Sequence, residues 1–376
     1  MKKVLAVCLS LVMLFASMPR ASAEEFSVSA ESAVVVNGET GEIIYGKNQN
    51  KKMPMASTTK ILTALILCEN CELEKEIKVT EEMVRVEGSS MGFLPGDTVS
   101  YKALLYGMML PSGNDAATAF AIAYAGSLEA FSLIMNKRAA EIGLNNSHFV
   151  TPSGLDAKNH YSTAYDMAKL GVFAMKNETF KAAVGVDTIR LEYGNPPYSR
   201  SLFGHNKILG IYEGANGIKT GYTSLSGRCL VSSAERGNKR VVAVTLNDSN
   251  RWENHKKLLD FGFSNLFEYT LEIPENFKKI EVISGEKKSV PIYCKEKTVG
   301  LTVSEAEKLE YKLYLKEFIY APQEKGIKVG RIDFYIKEKL LCSLSIKTKE
   351  DVPTKKTEKM GMLDRFLINL KLLIRI

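Results

Sequence analysis

The segment 24–267 contains apolar residues in two patterns, one typical of β-strands and one typical of helices. Short apolar, β-branched-rich segments occur at 33–36 and 43–45, and the Asn/Gly-containing segment 37–41 between them predicts the turn of a β-hairpin. Further strands are predicted at three later positions, 217–220, 228–234 and 240–246. The last two strands would form a second hairpin across 235–239.

Apolar residues recur at helical spacing from about residue 57 to residue 138. Helices in this region and just after it are predicted at 101–109, 115–124, 128–142 and 163–175. The Pro/Gly loop 111–114 and Gly126 separate the first three. Strands at both ends with helices between them predict an α/β (α+β) domain. Its terminal segments would meet in one antiparallel sheet, and the helices would cover the faces of that sheet.

The pattern changes after residue 267 and predicts a small all-β domain over 268–352. Short alternating segments occur there at 280–282, 290–293, 301–303, 311–315, 331–336 and 341–346. Since no cluster of candidate catalytic residues lies among them, we expect this domain to position the first one.

The first 23 residues have the three parts of an export signal. Lys2 and Lys3 precede the apolar run 4–18, and the small residues 21–23 form a cleavage site, so the mature chain is expected to begin at Glu24. The alternative is an uncleaved membrane anchor, for which the apolar run is short.

The tail 353–376 ends in a pattern typical of an amphipathic helix. Apolar residues at 363, 366, 367, 370, 373 and 374 fall on one helical face. The segment is too short and too charged to span a bilayer, but it suits a helix lying in an anionic membrane surface. Lys355, Lys356 and Lys359 would add electrostatic attraction. The alternative is a terminal helix packed on the β domain.

The charge of the chain is concentrated at its ends. Loss of residues 1–23 lowers the formal net charge from +7 to +4, and residues 355–376 alone carry +4. The mature body is therefore close to neutral, and no nucleic-acid partner is predicted.

Five cysteines remain after removal of the signal, so at least one is unpaired within the chain. Cys68 and Cys71 have the spacing of a redox or metal-binding pair, but no second Cys or His pair has zinc spacing. We interpret them as buried cysteines at a helix end and predict neither a metal nor a cofactor.

Ser57-Thr58-Thr59-Lys60 places a hydroxyl and an amine three residues apart at the predicted start of a helix. Residues i and i+3 share a helix face, so a Lys60 with a depressed pKa could act as general base toward Ser57. Alone, this string also fits a capped helix with a solvated lysine. Two further strings occur in order: Ser112-Gly113-Asn114 in a loop between helices, and Lys219-Thr220-Gly221 on a strand.

With these three strings the chain resembles the low-molecular-mass penicillin-binding proteins, which are serine D-Ala-D-Ala carboxypeptidases. The segments 148–156 and 161–168, and the residues around Arg251, are similar to that family as well. The resemblance implies a penicillin-binding/transpeptidase-like catalytic domain. It also implies export to the outer face of a bacterial cytoplasmic membrane, a stem-peptide substrate ending in D-Ala-D-Ala, and acylation by β-lactam antibiotics.

The resemblance also implies a role for each site residue. Ser57 would be the nucleophile, Lys60 its base, and Ser112 the relay of a proton to the leaving amine. The substrate would be bound by Asn114, Lys219, Thr220, Gly221, Tyr222 and Arg251. Within this set Lys219 and Thr220, helped by Arg251, would bind the terminal carboxylate, and the backbone N–H groups of Ser57 and Tyr222 would form an oxyanion hole.

Three other functions are considered. A Ser-His-Asp hydrolase is disfavoured because none of the four histidines lies in a Gly-x-Ser-x-Gly context. A serine β-lactamase would need a glutamate that activates water, and Glu141 is better explained as a solvated residue at a helix end. A non-hydrolytic penicillin or stem-peptide sensor would not need the intact Ser57, Lys60, Ser112 and Lys219.

Overall fold

The computed structural model describes residues 26–355, so the predicted signal segment and nearly all of the tail lie outside the described residues. The helices are α1 (Lys60–Asn70), α2 (Glu81–Val84), α3 (Tyr101–Met109), α4 (Asn114–Ala125), α5 (Leu128–Ile142), α6 (Ala164–Ala174), α7 (Glu178–Val184), α8 (Ile208–Ile211), α9 (Arg251–Ser264) and α10 (Val303–Ala306). Two 3₁₀ turns, Ala56–Thr59 and Glu275–Phe277, complete the helical elements among these residues.

The strands of the first domain are β1 (Ser32–Asn37), β2 (Ile43–Lys47), β3 (Glu76–Lys78), β4 (Thr98–Ser100), β5 (Thr188–Gly194), β6 (Pro197–Phe203), β7 (Ala215–Thr223), β8 (Gly227–Arg236) and β9 (Lys239–Leu246). The main sheet has the order β2-β1-β9-β8-β7 and is antiparallel throughout. Strand β1 pairs with β9, so the terminal segments of the domain meet as predicted.

The alternation in β1 explains why both faces of this sheet are covered. Val34 and Val36 point into the larger core with α1, α4 and α6, whereas Ala33 and Val35 point into a second core with α9. All of these side chains are buried. The predicted α+β architecture is therefore confirmed, with β7 left as the edge strand that borders the site.

The second domain contains β10 (Phe267–Leu271), β11 (Lys279–Ile283), β12 (Ser289–Cys294), β13 (Lys297–Leu301), β14 (Leu309–Leu315), β15 (Phe318–Tyr320), β16 (Lys328–Ile336) and β17 (Lys339–Thr348). Strand β10 pairs with β13, and the other six form the sheet β14-β16-β17-β12-β11-β15 around their own core. The small all-β domain is confirmed.

Three predictions of local structure need correction or addition. The strand expected at 301–303 ends at Leu301, because Thr302 and Glu305 form a capping box that starts α10. The hairpin β5–β6 and the helix α9 were not predicted.

In residues 26–355 no single helix has the length and hydropathy of a membrane span, although α4 and α5, bent by 89°, pass that test as a pair.

Candidate active site

Ser57 lies in the 3₁₀ turn that leads directly into α1, and Lys60 is the first residue of that helix. The i to i+3 spacing brings Lys60 Nζ to 3.0 Å from Ser57 Oγ. Two glycines allow other segments to approach this turn. A Cβ on Gly154 would lie 1.9 Å from Ala56 O, and one on Gly221 would lie 3.1 Å from Ser57 N. Strand β7 therefore runs directly beside Ser57.

The ammonium group of Lys60 is completely buried, and its other two partners can only accept hydrogen bonds. They are Asn114 Oδ1 and the carbonyl oxygen of Ser153, each at 2.7 Å. Burial lowers the pKa of Lys60 well below its usual value, and the positive charge of Lys219 lowers it further, against a smaller opposite effect of Asp115. A neutral Lys60 has two N–H groups for these acceptors and a lone pair that faces the Ser57 hydroxyl. That is the arrangement of a general base.

The loop 111–114 borders the same cleft. Ser112 is nearly buried and has a positive φ of 64°, and Asn114 begins α4. The Asn114 side chain accepts from Lys60 and donates through Nδ2 to Glu87 O at 2.7 Å. Since Nδ2 carries two hydrogens, one N–H remains after the bond to Glu87.

Asp115, which was not among the predicted site residues, fixes a loop beside the site. Its buried carboxylate accepts hydrogen bonds from Ser90 Oγ at 2.6 Å, Met91 N at 2.9 Å and Gly92 N at 3.1 Å. The segment 87–92 is thereby tied to α4 next to Asn114. A buried carboxylate needs several hydrogen-bond donors. An Asp directly after Ser-Gly-Asn was therefore the sequence signal for an anchored loop at this position.

Strand β7 carries Lys219, Thr220, Gly221 and Tyr222. The first three are buried, and only the Tyr222 side chain is well exposed. Burial lowers the pKa of Lys219 to about 7, with the charge of Arg251 acting in the same direction. Arg251 Nη1 donates to Gly221 O at 3.2 Å and to Cys229 O at 3.4 Å, so this side chain supports the strand.

A cationic pocket adjoins this end of β7. Its volume is about 540 Å³, and its lining includes His205, Lys207, Arg228, Arg251 and Trp252. Burial lowers the pKa of His205, and the charges of Lys219 and Arg251 lower it further. None of the three cationic side chains, Lys207, Arg228 and Arg251, has a carboxylate within 4 Å in the described part of the chain. His205, Lys207 and Arg228 were not predicted from the sequence.

Two other histidines, His160 and His255, have structural roles. His160 bonds to Thr59 Oγ1 at 3.0 Å and to Val150 N at 2.9 Å, and burial lowers its pKa to about 4. His255 lies between the hydroxyl groups of two strands of the sheet, and burial lowers its pKa to about 3. Over residues 26–355 neither histidine contacts Ser57. Glu141 is half-exposed and pairs with Arg138 at 3.0 Å, as expected of a solvated residue at a helix end.

The cysteines at the end of α1 show no sign of redox chemistry. Cys68 and Cys71 are partly buried and form no disulfide in the described segment. Burial raises the pKa of Cys68 to about 12, which keeps the thiol protonated and unreactive. In the same residues no group of three or more His, Cys, Asp or Glu side chains could hold a metal ion.

The fold and the Ser57–Lys60 pair define a serine peptidase of the penicillin-binding class. The comparisons with known proteins agree. Residues 18–250 match the model of the Peptidase_S11 family, described as D-alanyl-D-alanine carboxypeptidase, and residues 269–354 match the C-terminal domain of penicillin-binding protein 5. The chain belongs to this family and is a serine D-Ala-D-Ala carboxypeptidase of the low-molecular-mass penicillin-binding proteins.

Relatives match over nearly the whole chain. The D-alanyl-D-alanine carboxypeptidase DacF of Bacillus subtilis is 32% identical over 94% of this chain and 95% of its own length. DacC of Escherichia coli is 33% identical over 90% of this chain and 89% of its own. The crystal structure of the Streptomyces K15 DD-transpeptidase is 30% identical, with a TM-score of 0.61 over 64% of this chain and all of that one. DacD of Francisella tularensis, at 24% identity and a TM-score of 0.63, shares the fold over 90% of this chain and 97% of that one.

Proposed function

We propose that this carboxypeptidase is exported, is held at the outer face of the cytoplasmic membrane by its tail, and acts through an acyl-enzyme on Ser57. The observation that carries the mechanism is the buried Lys60 amine, 3.0 Å from Ser57 Oγ and hydrogen-bonded to two obligate acceptors. The predicted signal and amphipathic tail support the location.

In the first step Ser57 Oγ attacks the carbonyl carbon between the two D-alanines of the stem peptide. Lys60 takes the hydroxyl proton, and the carbonyl oxygen becomes an oxyanion next to the backbone N–H groups of Ser57 and Tyr222. The C–N bond then breaks, and the amine of the terminal D-alanine leaves with a proton relayed through Ser112. The product is an ester between Ser57 and the shortened peptide.

In the second step water attacks this ester, Lys60 accepts a proton from the water, and Ser57 regains its hydroxyl hydrogen. A β-lactam would follow the first step only, because its amide opens without releasing a leaving group that can diffuse away. We therefore expect β-lactams to remain bound as slowly hydrolysed esters of Ser57.

The terminal carboxylate of the substrate would lie at Lys219 and Thr220, near the cationic pocket of Arg251 and His205. A protonated Lys219 would donate a charge-assisted hydrogen bond to the carboxylate, and Arg251 adds to the positive potential. Asn114 would use its remaining N–H on a carbonyl of the peptide backbone. Gly221 leaves room for the substrate backbone to lie along the edge of β7.

The test compares two substrates with the same purified protein. Release of D-alanine from diacetyl-Lys-D-Ala-D-Ala, with slow hydrolysis of a chromogenic cephalosporin, is the expected result. Rapid turnover of the cephalosporin would indicate a β-lactamase instead. Acylation without alanine release would indicate a sensor.

A further inference from the structure

A cavity of about 300 Å³ lies at the junction of the two domains, on residues that the catalytic site does not use. One wall is the β1–β2 turn with helix α6 and Lys176 just after it. The other is the end of the hairpin β16–β17, from Ile336 to Leu341. The two walls are joined directly, since Lys339 Nζ donates to Thr40 O at 2.8 Å and Lys337 pairs with Glu42. Beside the cavity, Asn37 Nδ2 ties the first domain to the second through Gly300 O at 3.0 Å and Glu305 Oε2 at 2.9 Å.

Four lysines line this cavity, and two of them are neutralised. Lys169 pairs with Asp166 at 2.6 Å, and Lys337 pairs with Glu42. Lys176 and Lys339 have no carboxylate within 4 Å in the part of the chain that the structure describes. The remaining acid of the lining, Glu39, is paired with Lys297 at 3.2 Å and with Arg240 at 3.5 Å.

The two unneutralised ammonium groups line the same cavity, and their positive charges repel each other. Partial burial lowers the pKa of Lys339, and the charges of Lys176 and Lys169 lower it further, against the opposite effect of Glu42. Lys339 Nζ is oriented at the domain junction by its bond to Thr40 O at 2.8 Å. An anion between Lys176 and Lys339 would relieve this repulsion.

The floor of the cavity is partly apolar. Ile336, Leu340, Leu341 and the ring of Tyr165 contribute to it, and Lys169 Nζ lies 5.0 Å from the centre of that ring. The ligand should therefore carry a short carbon chain as well as a charge. Lysines bind the several oxygens of a phosphate as point charges, whereas a planar carboxylate is matched best by the fork of an arginine, and none lines this cavity.

We propose that this junction cavity binds a phosphate ester of a small polyol, with the phosphate between Lys176 and Lys339 and the carbon chain on the apolar floor. The ester would contact both domains. Its source is either a soluble polyol phosphate or the headgroup of an anionic phospholipid.

The test uses the whole mature chain and glycerol 3-phosphate as the probe, measured by isothermal titration calorimetry. We expect saturable binding at one site, weakened at least about tenfold by the double substitution Lys176→Gln and Lys339→Gln. The control pair Lys137→Gln and Lys328→Gln removes the same charge from exposed positions outside the cavity and should change affinity less than about twofold. Unchanged D-alanine release by both double variants verifies that they are folded.

A parallel arm measures sedimentation of the same variants with phosphatidylglycerol vesicles. If the soluble probe does not bind but the cavity variant loses about tenfold more vesicle affinity than the control variant, the source is the lipid headgroup. If neither arm distinguishes the cavity variant from the control variant, the proposal is wrong.

Discussion

Asn114 Oδ1 accepts a hydrogen bond from Lys60 Nζ at 2.7 Å, and both groups are buried. An amide oxygen solvates the amine without adding a charge, so burial and Lys219 can keep the pKa of Lys60 low. The neutral character of residue 114 is thus as important as its shape.

Asn114→Asp tests this relationship directly. A carboxylate at this position favours the charged form of Lys60 and should raise its pKa. Because the base must be deprotonated, the acidic limb of the pH profile of kcat/KM should move to higher pH, by about one pH unit or more. Asn177→Asp is the matched control, because Asn177 caps α7 through its Oδ1 and aspartate keeps that acceptor. An unshifted acidic limb would exclude Lys60 as the base.

Lys219 should set the alkaline limb of the same profile. Its pKa is lowered to about 7, and it binds the substrate carboxylate only while it is protonated. We therefore expect kcat/KM of the free enzyme to fall as the pH rises through that value. Lys219→Arg stays charged throughout this range, so its alkaline limb should disappear even if its maximal activity is lower. If the alkaline limb persists in this variant, a group other than Lys219 causes it.

Asp115→Asn should loosen the segment 87–92 without removing a group that touches the substrate. In the wild type the donors of this segment share the two oxygens of the Asp115 carboxylate, whereas an asparagine amide offers only one oxygen. Buried N–H groups would therefore lose their partners, at a cost of about 2–4 kcal/mol. Urea denaturation measures this loss, and hydrogen exchange of the Met91 and Gly92 amides should accelerate. Ser90→Ala, which removes only one of the donors, should cost about 1 kcal/mol. Equal exchange rates in wild type and Asp115→Asn would refute the anchoring role.

Deletion of residues 355–376 tests the anchor. The amphipathic pattern predicts that the shortened protein moves from the membrane to the soluble fraction and still releases D-alanine. Cell fractionation with immunoblotting measures the first effect, and the alanine assay on each fraction measures the second. Retention in the membrane would mean that another segment, such as an uncleaved residue 1–23 segment, holds the protein.

The sequence was sufficient for the parts of the site that depend on local spacing. Ser57 and Lys60 share a helix face by their separation alone, and the strand of Lys219 and the loop of Ser112 follow from local alternation and Pro/Gly content. The segments 33–36 and 240–246 were recognisable as strands that meet in one sheet, but the register of their pairing depends on the tertiary fold.

The residues that were missed act across long distances in the chain. Asp115 binds a loop about 25 positions earlier, Ser153 supplies only a carbonyl oxygen, and His205 lines the same pocket as Arg251 through the fold. None of these contacts has a periodic pattern. The hairpin β5–β6 was missed because it is rich in polar residues, so its burial pattern is weak.

The most direct test of the account is the mass of the intact protein after incubation with benzylpenicillin. We expect an increase by one penicilloyl group, located by peptide mapping on Ser57, and no increase for Ser57→Ala. Asn177→Asp should be labelled like the wild type. Labelling of Ser57→Ala, or D-alanine release by that variant at the wild-type rate, would contradict the assignment of Ser57 as the nucleophile.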